Sequence, residues 1–204
     1  MKSNRFLAKN LFDAVGGALG FLFLLPALGV IALGIKLTSR GPALFKQERV
    51  GKDGKLFYIL KFRTMVEDAE EKGLKITVGQ DPRVTPLGGF LRRFKLDELP
   101  QIINILKGEM SFVGPRPEVP HYVALYDQAQ RRVLSIKPGV TDLASIKFRR
   151  ESEILGQAED PEKTYIEEIM PQKLKINLEY VEKASLSYDL KLIWLTLQEV
   201  FLDR

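Results

Sequence analysis

An uncharged apolar segment near the start of the chain limits the possible folds more than any other feature. Across residues 14–35, about 22 consecutive positions carry no charge, and as a helix they would extend roughly 33 Å. That length matches the hydrocarbon core of a bilayer, which is about 30 Å thick. A cleaved signal peptide is the alternative, but the apolar run is longer than a usual signal-peptide core. We therefore predict that the segment lies in lipid.

Two features favour a helix that enters one leaflet and returns, rather than a single span. Pro26 lies near the middle, where proline removes a backbone hydrogen-bond donor and bends a helix. Basic residues flank both ends, which gives no charge asymmetry: Lys2, Arg5 and Lys9 precede the segment, and Lys36, Arg40 and Lys46 follow it. We predict a re-entrant membrane helix over residues 1–38, bent at Pro26, with both ends facing the cytoplasm.

Composition restricts the chemistry that the chain can perform. It has 204 residues, with 31 Lys and Arg against 26 Asp and Glu and a formal net charge of +5. This charge favours anionic partners such as phosphates, anionic lipid or nucleic acid. The absence of cysteine excludes disulfides, thiolate metal sites and thiol redox catalysis. Because His121 is the single histidine, catalysis has to depend mainly on carboxylates, Lys and Arg.

The sequence after the polar break at residues 38–42 predicts a small sheet. The runs Leu44–Val50 and Leu56–Phe62 flank an Asp-Gly turn, a combination typical of a β-hairpin. Residues 66–72 resemble a brief acidic helix, and the basic, aromatic residues 90–94 suit a lipid surface. We divide the chain into the membrane helix at 1–38, a core at 39–150 and a C-terminal helical region at 151–204, packed on the core or at the membrane interface.

Apolar residues at helical spacing predict further helices. One covers residues 97–106, with Asp97 as its N-cap and Pro100 in its first turn. Residues 161–183 and 187–202 are also helical in pattern. The last of these fits a core helix and an interfacial helix equally well, because an amphipathic period does not distinguish them. The predicted fold class is α+β: a re-entrant membrane helix, a small β-hairpin or sheet, and several helices, including interfacial amphipathic ones.

Three clusters of charge among glycines and prolines are candidates for chemistry. Lys61 and Arg63 are two residues apart, so both lie on the same face of the predicted strand if that strand continues. In the second cluster, cations that include Arg92 precede the adjacent acids Asp97 and Glu98. In the third, Pro115 and Pro117 flank Arg116 and restrict the backbone there. A guanidinium on such a rigid backbone is suited to bind a phosphate.

Each candidate also has a purely structural interpretation. Asp97 alone is more often a helix cap than a nucleophile, and Glu98 a solvated acid in the first helical turn. Lys61 and Arg63 could be cations of an edge strand, and Arg116 an ordinary ion-pair partner. His121 has no second histidine or cysteine to work with and is interpreted as structural or solvated. The combination of the clusters, rather than any one member, favours a functional site.

The clusters belong to a longer series of short motifs behind the apolar segment. In chain order these are Gly41-Pro42, residues 47–51, residues 61–65, residues 81–88, Leu91-Arg92, residues 96–101, residues 111–118 and residues 137–141. Each motif is weak alone, but in this order they closely resemble the monotopic phosphoglycosyl transferases, the bacterial sugar transferase family, and its small members in particular. The resemblance covers nearly the whole chain and is densest from Gly41 to Thr141.

This resemblance implies a specific reaction and location. It implies a UDP-sugar donor, undecaprenyl phosphate as acceptor, Mg²⁺ as cofactor, and UMP and a polyprenyl diphosphate sugar as products. Asp97 and Glu98 would form the catalytic dyad, with Asp97 carrying the phosphosugar and binding the metal. The enzyme would lie in the bacterial inner (cytoplasmic) membrane with its active site on the cytoplasmic face. Membrane lipid is an expected partner, nucleic acid is not, and a homodimer is left open.

The substrate-binding residues that the resemblance implies are Lys61, Arg63, Arg92, Arg116 and Arg149. The chain departs from the family pattern in two places. Leu25 stands before the membrane proline, where many relatives have Ser, and residues 142–151 differ from the run that relatives often carry after Thr141. The second departure bears on the roles of Arg149 and Arg150 and on sugar preference.

Two other functional classes compete with this interpretation. A membrane-tethered interaction protein would explain the apolar segment and the basic surface, but gives no reason for a stiff Arg116 loop beside an acidic pair. A nucleic-acid binder is less compatible, because basic residues alternate with acidic ones and the N-terminal segment requires lipid.

Overall fold

The computed structural model describes residues 2–67, 69, 76 and 81–201, with the side chains of residues 2–6 and 201 outside this description. Nine α-helices and four strands are assigned within these residues. The strands are β1 (Leu44–Val50), β2 (Leu56–Phe62), β3 (Ser111–Val113) and β4 (Gly139–Thr141). The helices are α1 (Lys2–Thr38), α2 (Pro86–Arg93), α3 (Gln101–Leu106), α4 (Pro120–Val123), α5 (Leu143–Lys147), α6 (Glu151–Gly156), α7 (Pro161–Thr164), α8 (Met170–Lys183) and α9 (Leu186–Phe201).

The first helix is long, apolar and continuous through Pro26. Its segment Leu7–Thr38, 32 residues, is the one helix among the described residues that is long and apolar enough to cross a membrane. One side exposes large apolar side chains: Leu7, Leu11, Val15, Leu19, Leu22, Phe23, Leu25, Val30, Leu33 and Leu37. The predicted apolar segment is therefore helical, whereas the re-entrant bend at Pro26 stays a prediction.

The opposite side of α1 packs along the rest of the protein. Three glycines allow close approach: a Cβ on Gly16 would lie 3.1 Å from the Phe112 ring, one on Gly17 3.3 Å from Ile105, and one on Gly20 3.4 Å from the Ile102 side chain. Farther along, Ile35 is buried in a cluster with Phe62 and Leu91. The helix thus contacts the core at both of its ends.

Two buried charges fix the N-terminal end of α1 to the core. Lys9 Nζ donates to Asp189 Oδ2 in α9 at 2.6 Å and to the Val113 carbonyl at 2.7 Å. Asp13 lies one helical turn later and accepts from Ser111 Oγ at 3.0 Å and from the Phe112 amide at 3.1 Å. These four contacts join the start of α1 to β3 and α9.

The predicted hairpin is confirmed with the predicted strand ends. β1 and β2 are antiparallel, from Leu44 opposite Phe62 to Val50 opposite Leu56. Asp53 and Gly54 have φ values of 57° and 77°, and Asp and Gly tolerate this left-handed conformation. β3 and β4 form a separate two-stranded parallel sheet.

The helix predicted for residues 97–106 begins later than expected, and the assignment of Asp97 as its N-cap is wrong. Asp97 lies inside a 3₁₀ turn, Leu96–Glu98, whereas α3 begins at Gln101. Lys95 adopts a left-handed conformation before the turn, with φ of 56°. Pro100 has no N–H, which interrupts the helical hydrogen-bond ladder at this point.

The C-terminal helices confirm the two predicted helical segments, and they pack on the core. A π-helical turn, Tyr165–Ile169, connects α7 to α8. In α9, Leu192 is fully buried, while Leu190, Trp194 and Leu197 are exposed. The final helix therefore has one face in the core and an apolar stripe outside it, which combines features of both interpretations. Most of the acidic helix predicted at residues 66–72 lies outside the described residues.

Candidate active site

The adjacent acids Asp97 and Glu98 are both buried, with exposed fractions of 8% and 9%. Their 3₁₀ turn lies between α2 and α3 and contacts strand β2. A short turn allows two neighbouring carboxylates to meet different surroundings, and the two side chains do so here.

Glu98 is held by cations from two other elements. Arg116 binds it with both terminal nitrogens, Nη2 to Oε1 at 2.6 Å and Nη1 to Oε2 at 3.3 Å. Lys61 Nζ, from β2, lies 3.4 Å from Oε1. Burial alone would raise the pKa of Glu98, but Arg116 and Lys61 outweigh it and hold the pKa well below its usual range. Glu98 is therefore a fixed anion that organises two cations.

The two cations respond to the same surroundings in opposite ways. Burial lowers the pKa of Lys61 to about 8, although Glu98 opposes this change. The Glu98 carboxylate raises the pKa of Arg116 further above its ordinary value. Arg116 consequently stays charged in mildly basic solution, whereas Lys61 can lose its proton there.

The loop that carries Arg116 is fixed by the backbone at several points. The Gly139 amide donates to the Pro115 carbonyl at 3.0 Å, and the Gly114 amide donates to the Thr141 carbonyl at 3.1 Å. The two glycines are so close that a Cβ on Gly139 would lie 2.0 Å from the Gly114 nitrogen. This close approach supports the sequence argument that Arg116 has a rigid mounting.

A second ion pair supports the same loop from the hairpin. Arg49 Nη1 in β1 donates to Glu118 Oε1 and to the Pro117 carbonyl, both at 3.1 Å. The Val50 amide donates to the Glu118 carbonyl at 2.9 Å, and the Tyr165 hydroxyl donates to Glu118 Oε2. Lys61 and Arg116 are thus placed by elements that are bonded to each other.

Asp97 is less completely paired than its neighbour. Its Oδ1 atom is buried and has no hydrogen-bond partner. Burial raises the pKa of Asp97, and the adjacent Glu98 raises it further, against the opposing effect of Lys61, Lys95 and Arg92. A carboxylate with an unused oxygen among several cations is suited to bind or attack an electrophilic, anionic group.

Arg92 approaches the acids from the last turn of α2. Its Nε donates to Thr64 Oγ1 at 2.8 Å, and its charge lowers the pKa of Asp97, whereas Glu98 raises it. Gly88 brings α2 close to the backbone at Thr64, because a Cβ there would lie 2.0 Å from the Thr64 carbonyl oxygen. The structure thus gathers Lys61, Arg92 and Arg116 around the acid pair.

Two other predicted substrate-binding residues lie elsewhere. Arg63 follows the end of β2, so the condition that placed it on one face with Lys61 is not met. Its Nη2 donates to the Ser39 carbonyl at 3.0 Å and to Ser39 Oγ at 2.8 Å, at the end of α1. Arg149 pairs with Glu199 of α9 at 2.9 Å. Neither residue has a described contact with the acid pair.

Asp97 fits a magnesium ion that is bound together with substrate. No cluster of three or more His, Asp or Glu side chains that could hold a metal occurs in the described part of the chain. Magnesium typically uses one or two carboxylates together with substrate phosphates and several waters. The unpartnered oxygen of Asp97 meets this requirement.

A cleft opens on another side of the Arg116 loop. It encloses about 570 Å³, including space open to solvent, and its lining includes Arg116, Tyr165, Lys173 and Asn177. Arg116 thus borders both this cleft and the acid pair.

Comparison with known proteins assigns the chain to a family. The sequence profile of the bacterial sugar transferases matches residues 4–203. The chain belongs to this family. The assignment agrees with the resemblance inferred from the motifs.

Three relatives show the extent of this sugar transferase match. UDP-glucose:undecaprenyl-phosphate glucose-1-phosphate transferase of Escherichia coli K12 is 39% identical over 97% of this chain and 41% of that protein. Galactosyl transferase CpsE of Streptococcus agalactiae is 36% identical over 98% of this chain and 44% of that protein. The uncharacterized sugar transferase EpsL of Bacillus subtilis is 36% identical over 97% and 89%. The chain spans about two fifths of the first two relatives.

The sequence interpretation of this sugar transferase missed two buried amides in the helix that follows the acids. Asn104 and Gln101, in α3, are 0% and 1% exposed. Asn104 Oδ1 accepts from the Leu60 amide at 3.0 Å, and its Nδ2 donates to the Tyr58 carbonyl at 2.8 Å, which satisfies the free edge of β2. Polar residues between the apolar positions of a short helix were the available signal.

Proposed function

We propose that the protein is a phosphoglycosyl transferase that moves a sugar 1-phosphate from a UDP-sugar to undecaprenyl phosphate. The products are undecaprenyl diphosphate sugar and UMP, and the reaction is the first membrane step of glycoconjugate assembly. One observation carries the proposal: Asp97, with an unpartnered buried oxygen, adjoins Glu98, which two cations hold. Family membership and relatives named undecaprenyl-phosphate glucose-1-phosphate transferases support it.

In the first step, Asp97 is the nucleophile. A carboxylate oxygen forms a bond to the phosphorus that carries the sugar, while the bond from that phosphorus to the bridging oxygen breaks. The bridging oxygen leaves with its electron pair as part of UMP, and the phosphosugar remains on Asp97 as an acyl phosphate. A covalent intermediate of this kind divides one difficult transfer into two easier ones.

The surrounding cations make this attack feasible. An anionic nucleophile approaching a diphosphate meets strong repulsion, so phosphoryl transfer depends on positioning and on neutralising charge. Arg116 and Lys61 are already organised by Glu98, and the charge of Arg92 acts on Asp97. We assign Arg116 and Arg92 to the diphosphate, with Lys61 as a supporting cation.

Asp97 is a better nucleophile than Glu98 for a structural reason. Both oxygens of Glu98 are engaged by Arg116, and Oε1 is shared with Lys61. The lone pairs of Glu98 are therefore committed to cations, whereas an oxygen of Asp97 has no partner. Glu98 acts as a positioning residue that keeps the cations in place.

Mg²⁺ would be held by Asp97 together with the donor phosphates, where it would neutralise charge on the diphosphate and its leaving group. In the second step, an oxygen of undecaprenyl phosphate attacks the same phosphorus. The bond to Asp97 breaks, and the carboxylate is restored. The sum of both steps consumes one UDP-sugar and one undecaprenyl phosphate.

The packing of α1 supports a location on one face of the membrane. A helix that crossed the bilayer would carry its N-terminal end away from the core that follows its C-terminal end. Here Lys9 and Asp13 contact the core at one end, and Ile35 contacts it at the other. We therefore place both ends of α1, and the acid pair, on the cytoplasmic face, where a polyprenol phosphate presents its headgroup.

The proposal is tested by UMP release from the full chain in detergent with undecaprenyl phosphate, Mg²⁺ and a panel of UDP-sugars. We expect at least one UDP-sugar to give Mg²⁺-dependent UMP, and Asp97→Asn to abolish it without lowering the unfolding midpoint. The Asn variant is nearly the same size and removes only the negative charge. Full activity of Asp97→Asn would contradict the assignment of Asp97 as the nucleophile. No UMP from any donor would contradict the proposed reaction and favour a membrane-tethered interaction protein.

A further inference from the structure

Gln101 is a buried amide without a partner. Its side chain is 1% exposed, and neither Nε2 nor Oε1 has a hydrogen-bond partner. Burying an amide without hydrogen bonds destabilises the folded state, because the group loses its hydrogen bonds to water. The folded protein as it stands therefore gains no hydrogen-bond energy from this group.

Asn104, a second buried amide in the same helix, has a structural role. Asn104 bonds to two backbone groups of β2, and its Nδ2 also donates to Glu109 at 2.7 Å. Both polar atoms of Asn104 are satisfied within the protein. Helix α3 thus holds one buried amide that completes the fold and one that does not.

Gln101 lies four residues after Asp97, at the start of α3. Leu99 and Pro100 both have right-handed helical backbone angles, so the chain continues helically from the 3₁₀ turn into α3. Side chains three to four residues apart along a helical segment are neighbours. The Cα–Cβ bonds tilt toward the helix N-terminus, which directs Gln101 toward the turn that carries Asp97 and Glu98.

The two side chains complement each other chemically. Asp97 has a buried acceptor, Oδ1, without a donor, and Gln101 has a buried donor group, Nε2, without an acceptor. Because no hydrogen bond fixes the amide of Gln101, its NH₂ group is free to face Asp97. Hydrogen bonds in ligand-free active sites are often long and shorten only when substrate binds.

We propose that Gln101 is a positioning residue for Asp97: when the UDP-sugar binds, its Nε2 donates a hydrogen bond to Oδ1 and so orients the carboxylate for attack on phosphorus. The inference rests on the proposed function, because it needs Asp97 to be the nucleophile. Orientation is the contribution of Gln101, and a small misalignment of reacting groups can reduce a rate about 100-fold.

The first test is Gln101→Met, which keeps length and volume and removes the amide. We expect the rate constant of the first step to fall roughly 10- to 100-fold, with the KM for the donor changed less than about threefold, because Gln101 does not bind the donor itself. The unfolding midpoint should stay equal or rise, because an unpaired buried amide is removed. Gln101→Glu replaces the donor with an anion and should be slower than Gln101→Met.

The measurement is the burst of UMP after rapid mixing of the full-length protein with Mg²⁺ and the UDP-sugar that wild type uses best, without lipid. Asn104→Leu is the matched control from the same helix and should lower the unfolding midpoint. A wild type without a burst would contradict the proposed function itself. A normal wild-type burst with an equal burst rate in Gln101→Met would overturn this inference alone. So would a loss of rate accompanied by a drop in midpoint like that of Asn104→Leu.

Discussion

The neighbouring acids Asp97 and Glu98 have pKa values that are shifted in opposite directions. The pKa of Glu98 is held far below its usual range, whereas the pKa of Asp97 is raised. Burial acts in the same direction on both, so the difference comes from Arg116 and Lys61, which contact Glu98 directly. The sequence predicted the acid pair. It could not predict which of the two acids the cations contact, because those contacts depend on elements far apart in the chain.

Substitution of Arg116 tests whether the cations that contact Glu98 contribute to function. We expect Arg116→Ala to reduce kcat/KM for the donor roughly 100- to 1,000-fold, since it removes charge stabilisation and leaves Glu98 with Lys61 alone. Steady-state UMP release against donor concentration measures this effect. The control is Arg132→Ala, which removes an exposed arginine that pairs with Glu182 at 3.1 Å. Equal kinetics in the two variants would argue against a role for Arg116 in donor binding.

The lowered pKa of Lys61 predicts that activity declines in basic solution. Burial lowers its pKa to about 8, so the free protein loses this positive charge as pH rises through that value, well before an ordinary lysine would. We expect kcat/KM for the donor to fall above pH about 8, because that parameter reports the free enzyme. In Lys61→Arg, whose charge persists, the decline should move to higher pH. An unchanged profile in that variant would assign the decline to another group.

At the scale of elements, local chemistry predicted some boundaries and failed at others. The hairpin was predicted correctly because the Asp53-Gly54 turn and the flanking apolar runs agree. The helix at 97–106 was placed too early, because the left-handed Lys95 and the 3₁₀ turn after it have no distinct sequence signature. The attachment of α1 to α9 through Lys9 was also missed, since Lys9 was interpreted as a flanking cation and its partner, Asp189, is 180 residues away.

The attachment of α1 predicts a stability effect. Lys9→Met leaves Asp189 buried without its cation, which should lower the free energy of unfolding by about 3–5 kcal/mol. Adding Asp189→Leu should recover most of the loss, because the unpaired charge is removed as well. Chemical denaturation in detergent measures both variants. Lys183→Met, at an exposed pair with Glu179, is the control and should change little; a similar loss in it would contradict the account.

At the scale of the whole molecule, the apolar helix α1 contacts the rest of the protein along one of its sides. The sequence predicted a membrane segment from length and charge, and it predicted both ends on one side from the flanking cations. The structure adds contacts between the core and both ends of α1, through Lys9, Asp13 and Ile35. Such contacts follow from tertiary packing, which residue patterns do not specify.

In the proposed membrane arrangement, the acid pair lies on the same body that α1 attaches to lipid. The exposed apolar side of α1 continues the length of the helix, while its packed side reaches α3, the helix directly after Asp97 and Glu98. The proposal therefore links membrane attachment to the chemistry through the contact between α1 and α3. This linkage matters only if Asp97 carries the phosphosugar between a soluble donor and a lipid acceptor.

Mass spectrometry of the quenched protein tests that central claim most directly. The full chain is mixed with Mg²⁺ and its preferred UDP-sugar without undecaprenyl phosphate, quenched and digested. The account predicts a phosphosugar on the peptide that contains Asp97, removed by a chase with undecaprenyl phosphate and absent from Asp97→Asn. An unmodified Asp97 in protein that releases UMP only when both substrates are present would contradict it.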